Sequence, residues 1–131
     1  MNVLIKNLTV IVFLSTIITS AQKKTWLDGN LNETNQLNSV YYKVVSKDAK
    51  EELYFYKNTN IFRKIIHSNE MSVVIFSEFY ETGSLKISGK YEKGLKEGIW
   101  KKYYVNGKIK ERGRYKNGKK VGIWKTFYKN F

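Results

Sequence analysis

The chain has 131 residues, room for one small domain, and it carries no cysteine, no proline and one histidine. Disulfides are therefore excluded, and a metal site would have to be built from carboxylates scattered among lysines. Lys and Arg outnumber Asp and Glu by 24 to 11, a formal charge of +13. That charge suits phosphate-bearing partners such as nucleic acid, lipid headgroups or lipopolysaccharide, and it does not by itself specify a fold.

Residues 1–21 are expected to form a cleaved export signal. Lys6 supplies the short positive region, Leu8 to Ile18 is an uncharged apolar run, and Thr19-Ser20-Ala21 places small residues before Gln22. The run is too short for a spanning helix, which needs about 20 mostly apolar residues. Its removal takes away Lys6 and no acid, leaving a mature chain of charge +12. The expected location is outside the cytoplasm: periplasmic, outer-membrane-associated or secreted.

Residues 22–39 are polar and lack a clear period, and they read as an irregular lead-in with Trp26 placed to close the open end of a core. From 40 to 79 the runs Tyr41 to Ser46, Glu52 to Tyr56, Ile61 to His67 and Met71 to Phe79 read as strands of degenerate or capping repeats. Asn58-Thr59-Asn60 stands at a turn position without glycine.

Residues 80–131 carry the clearest signal. Gly83, Gly89, Gly94 and Gly98 superimpose on Gly107, Gly113, Gly118 and Gly122 after a shift of 24 residues, and Ile99-Trp100 falls on Ile123-Trp124. Tyr80 falls on Tyr104 and then Tyr128, and Tyr91 on Tyr115. A period of this size marks a supersecondary unit that buries its apolar face only by stacking on the next. Two clear repeats and a truncated third are predicted. Gly83, Gly94, Gly107 and Gly118 belong to turns, with Asn106-Gly107 and Asn117-Gly118 read as two-residue hairpin loops. Strands follow at Ser84 to Glu92, Glu97 to Tyr104, Lys108 to Lys116 and Val121 to Tyr128.

Centred turns would pair Gly89 with Gly98, Ile87 with Trp100, Gly113 with Gly122 and Glu111 with Trp124. They would also set Tyr104 opposite Ile109 and Trp100 opposite Gly113. The glycine pairs would then lie beneath aromatic rings, which explains why strands accept a residue that otherwise weakens them. The expected fold is all-β, an antiparallel meander of stacked hairpins with about eight strands. Alternation gives one face of Leu85, Ile87, Tyr91, Trp100, Tyr104, Ile109, Tyr115, Trp124 and Tyr128. The other is basic with an apolar stripe of Ile99, Tyr103, Ile123 and Phe127, and the candidate binding residues on it are Lys101, Tyr103, Lys110, Arg112, Arg114, Lys125 and Phe127.

The pattern Tyr-x-x-Gly-x-x-x-x-x-Gly-x-Tyr-x-x-Gly-x-x-x-Gly-Ile-Trp, from Tyr80 to Trp100 and again from Tyr104 to Trp124, resembles the MORN-repeat variant of bacterial proteins. The resemblance implies hairpins stacked into an elongated, twisted single sheet that acts as an interaction module. Protein partners, self-association and phospholipid headgroups are the ligands it suggests, and some bacterial relatives carry an antitoxin label. Export argues against an antitoxin, which must meet a cytoplasmic toxin, and equally against nucleic acid, although the basic cluster could combine phosphate contacts with base stacking.

Catalysis finds little support. His67 is alone, and no Gly-Lys-Ser/Thr phosphate loop opens a helix. Glu51-Glu52 and Glu78/Glu81 are the closest carboxylate groupings, and these read as solvated strand ends or partners of lysines rather than as a hydrolytic pair. The expectation is a non-enzymatic module without cofactor or metal. It would bind an unidentified protein or an anionic envelope lipid through the basic face, or self-associate through an exposed last strand; the bland alternative is a solvated lysine face that keeps edges apart.

Overall fold

A computed structural model describes residues 23–69 and 72–128. The proposed export signal lies outside the described residues. The described residues form a single antiparallel sheet of nine strands in strict sequence order: β1 Lys24–Leu27, β2 Tyr41–Val45, β3 Glu51–Tyr56, β4 Ile61–His67, β5 Val73–Phe79, β6 Leu85–Glu92, β7 Leu95–Tyr103, β8 Ile109–Lys116 and β9 Lys119–Thr126. Eight of these match the predicted runs to within about two residues. The additional strand is β1, whose four residues lie in the stretch read as an irregular lead-in and pair with β2 from Lys24 opposite Val44 to Leu27 opposite Tyr41.

Each face of a single sheet must find its own cover. At the N-terminal end, Trp26, Tyr42 and Phe55 stand in line across β1 to β3, with Tyr42 and Phe55 stacked at 4.8 Å. Val44, Leu53 and Ile61 complete this cluster. The lead-in folds back along β1, since the Thr34 amide donates to the Trp26 carbonyl and the Val40 amide to that of Leu27. Trp26 therefore meets Tyr42 ring to ring at 5.7 Å as part of a strand rather than as a detached plug.

The other face carries a continuous line of rings. Phe76 contacts Tyr91 and Trp100, Tyr91 contacts Trp100 at 5.1 Å, Trp100 contacts Tyr115 at 5.9 Å, and Tyr115 contacts Trp124 at 5.0 Å. Trp100 is the buried centre of this line, and its indole N–H donates to the Lys90 carbonyl at 3.1 Å. Lys96 lies over Trp100 at 4.4 Å, and Lys120, one repeat later, over Trp124 at 3.9 Å. Lysine stems and charges thus shield the rings from water.

The two glycines of each expected pair have different jobs. Leu95 faces Glu92 and Glu97 faces Lys90, as centred turns require, but Ser88 then faces Lys101 and Ile87 faces Lys102. Gly98, Ile99 and Trp100 together stand across from Gly89, a bulge that Gly98 permits by taking φ +69. Ile87 therefore does not face Trp100. The second repeat has the same bulge at Gly122, φ +64, so Glu111 faces Thr126 rather than Trp124. The bulge swings each Trp back over a glycine: a Cβ on Gly89 would lie 2.2 Å from the Trp100 ring, and one on Gly113 2.2 Å from that of Trp124. Gly98 and Gly122 lie under no ring and are required by backbone angle alone.

Turns also separate into two kinds. Lys93-Gly94 and Asn117-Gly118 are two-residue loops with positive φ at both positions. The Asn106-Gly107 loop is longer than expected: Gly107 donates to the Tyr104 carbonyl, Tyr104 to that of Lys108, and only Gly107 has positive φ. Tyr103, not Tyr104, consequently faces Ile109. Thr82-Gly83 repeats this geometry. Thr59 occupies the same place one repeat earlier, held at φ 77 with its amide donating to Tyr56. A β-branched residue there is strained. Thr59→Gly is expected to stabilise the fold by about 1 kcal/mol, the relieved strain exceeding the added chain entropy, and to raise Tm by a few degrees. A thermal melt of the two proteins measures this, and an unchanged or lower Tm would count against it.

Candidate functional site

Adjacent rows of the same sheet differ in how their charges are balanced. On the aromatic face Arg63 faces Glu78, and its guanidinium donates to that carboxylate at 2.6 Å. Lys102 faces Glu111, whose carboxylate also receives Lys120, at 2.8 and 3.1 Å. These contacts hold the Glu111 carboxyl below its ordinary value, Lys102 contributing most.

Glu52 on the same face accepts from Tyr54 at 2.8 Å, lies 2.8 Å from His67 Nε2, and has Lys43 at 3.9 Å. Partial burial pushes the Glu52 carboxyl up, but His67, Tyr54 and Lys43 together outweigh it and leave the pKa lowered. Burial, reinforced by the same carboxylate, pushes the Tyr54 hydroxyl up to about 12. A lowered folded value means that Glu52 contributes stability above its ordinary pKa of 4.5. The contribution is lost as pH falls through the folded value. Glu52→Gln should therefore cost about 1 kcal/mol at pH 7 and remove part of the acid decline in urea-denaturation midpoint, a half-exposed charged hydrogen bond being discounted for solvent. A variant with an unchanged pH profile contradicts the assignment.

The carboxylate groupings picked out in the sequence are thus engaged separately. Glu51 pairs with Lys64, Glu52 with His67, Glu78 with Arg63, and Glu81 accepts from Asn58. Among the described residues, no three His, Asp or Glu side chains stand together as a metal site.

The basic face is different. Ser88, Lys101, Arg112 and Lys125 stand in register across β6 to β9, and the last three form a row of like charge on neighbouring strands. No carboxylate among the described residues pairs with Lys101, Arg112, Arg114 or Lys125. Arg114 faces Ile99 on one side and Val121 on the other. Together with Ile99, Gly113 and Ile123 these cations line a shallow depression of about 380 Å³.

Of the remaining predicted residues, Phe127 joins the row through the Arg112 guanidinium, 5.9 Å from its ring centre. Tyr103 lies at the β6 border with its hydroxyl 3.5 Å from Ser88 Oγ. Lys110 is set apart at the hairpin end, over Tyr104 at 5.6 Å. Tyr104 itself, expected among the aromatic-face residues, donates its hydroxyl to the Phe127 carbonyl at 2.8 Å, as Tyr80 does to Tyr103.

Ile99 and Ile123 line the same depression, on the basic face where alternation placed them, although the binding cluster named from the sequence left them out. Each is the middle residue of a Gly-Ile-Trp bulge; the Trp turns inward and the Ile is left 58% and 84% exposed respectively. Alternation gives their face; how far they stand out from it follows from the bulge.

No helix among the described residues is long and apolar enough to cross a membrane. No known protein family matches the chain, and neither curated proteins nor solved structures give a match.

Proposed function

We propose that the chain is an exported, non-catalytic, MORN-like repeat module whose basic face docks on a phosphate-bearing envelope surface. The observation that carries this reading is the row Lys101, Arg112, Lys125, in register on three strands and unneutralised. On the aromatic face the neighbouring row is balanced by Glu111. Like charges set directly across a sheet are destabilising, and an anionic surface removes that repulsion on contact. Ile99 and Ile123 supply apolar contact at the same level, roughly 1 kcal/mol each when half-buried among headgroups.

Sedimentation with vesicles tests this. The mature chain should co-sediment with phosphatidylglycerol vesicles, remain free with phosphatidylcholine, and be released by salt, because exposed charges are screened within about 8 Å at physiological ionic strength. A parallel arm with lipopolysaccharide distinguishes the two sources of phosphate. Failure of both anionic arms at low salt rejects the reading.

A further inference from the structure

The sheet ends on β9, whose outer rim has no partner among the described residues. We propose that this rim is a docking edge for an acidic, extended segment of a partner protein, which adds to the sheet as a further antiparallel strand.

The repeat shows that the rim is competent. β7 carries Gly98-Ile99-Trp100-Lys101, and β9 carries the same four residue types as Gly122-Ile123-Trp124-Lys125. The bulge of β7 disturbs its pairing with β6 only; its other rim pairs with β8 without interruption from Gly98 opposite Tyr115 to Lys102 opposite Glu111. The bulge of β9 likewise faces inward, against β8, so the outward rim has the form that accepts a strand in the repeat before it.

Two interactions completed in that repeat are half-made at the edge. Trp100 has a tyrosine on each side, Tyr91 and Tyr115, whereas Trp124, among the described residues, has only Tyr115. Tyr80 and Tyr104 each donate to a carbonyl one repeat on, whereas Tyr128, the next in the series, is 85% exposed with no acceptor among the described residues.

Charge selects the occupant. β9 holds Lys119, Lys120 and Lys125 and no acid, so a second copy of β9 would set lysines against lysines, which opposes self-pairing. An incoming strand with glutamates opposite Lys119 and Lys125 is attracted instead, and an aromatic side chain opposite Gly122 would cover Trp124 as Tyr115 covers Trp100. Backbone hydrogen bonds would supply affinity and alternate side chains specificity, as in strand addition generally.

The test uses the mature chain and an end-blocked ten-residue peptide alternating glutamate with valine around one tyrosine. Its control is the same peptide N-methylated at its central amides, which keeps the charge and abolishes pairing. The peptide should slow hydrogen exchange of β9 amides about tenfold or more, and the control should not. Three results overturn the proposal: no slowing with the peptide, equal effects of peptide and control, or protection of β9 that appears without peptide and grows with protein concentration. The last would assign the rim to a second copy.

Discussion

Gly89→Val is expected to destabilise the C-terminal half of the sheet severely. A Cβ at this position would lie 2.2 Å from the Trp100 ring, well inside contact distance, so the ring must move. It has nowhere to go: Phe76, Tyr91 and Tyr115 surround it and Lys96 lies over it at 4.4 Å. Only 4% of Trp100 is exposed. Expelling it costs about as much as removing a core aromatic ring, roughly 3–5 kcal/mol, against a total stability on the order of 5–15 kcal/mol for a small domain. Gly113→Val makes the same 2.2 Å contact with Trp124, but that ring has a neighbour on one side only and can swing outward, so roughly 1–3 kcal/mol is expected. Denaturation followed by tryptophan fluorescence gives both values. A Gly89→Val protein of near-native stability, or one more stable than Gly113→Val, would show that the rings do not depend on these glycines.

Arg112→Glu is expected to stabilise the fold and to abolish most surface binding. Arg112 faces Lys101 on one side and Lys125 on the other. Reversing its sign turns two repulsive cross-strand pairs into two attractive ones, each worth about 0.2–1 kcal/mol. The same change removes one attraction to an anionic surface and adds one repulsion, at about 1 kcal/mol per charge. Affinity for phosphatidylglycerol vesicles should fall roughly 30-fold and lose part of its salt dependence. The opposed signs make the experiment informative, because weaker binding cannot then be blamed on a damaged fold. Unchanged binding would leave the row as a solvated face.

The parts of the fold that were legible in the sequence rest on unambiguous chemistry. Lys93-Gly94 and Asn117-Gly118 have one good reading as tight hairpin loops, and the strands on either side follow from alternation. Trp100 faces Gly113, as expected, because the longer Asn106-Gly107 loop is offset by a register shift between Lys102 and Tyr103. The register beyond Gly98 was hidden because a glycine in a strand is compatible with either of two causes, close approach of a ring or positive φ. Gly89 and Gly113 have the first, Gly98 and Gly122 the second. The bulge sets three residues, Gly98 to Trp100, opposite one, an excess of two, and two is the side-chain period of a strand. The division into an aromatic and a basic face therefore survives a register that differs from the one expected. At the site, the cationic row and the isoleucines beside it could both be read from alternation, whereas the degree to which the isoleucines protrude depends on the bulge and could not. In the upstream unit Ile65 and Phe76 stand where Gly89 and Trp100 stand later, and they face each other in an unbroken register. With no glycine to be covered, no bulge is needed, which accounts for the fading of the period in that direction.

The strand order has a kinetic consequence. Every strand pairs only with those before and after it in the chain, so no long loop has to close before the first contacts are made. Such a sheet has a low contact order for an all-β protein and can form like a zip, each hairpin templating the next, rather than waiting on a distant nucleus. The same arrangement makes loss of structure directional. The N-terminal end is anchored by Tyr42, Val44 and Phe55 and the middle by Trp100, whereas β9 has, among the described residues, a neighbour on one side only, so fraying of this sheet starts at the very strand that presents Ile123 and Lys125 and works inward.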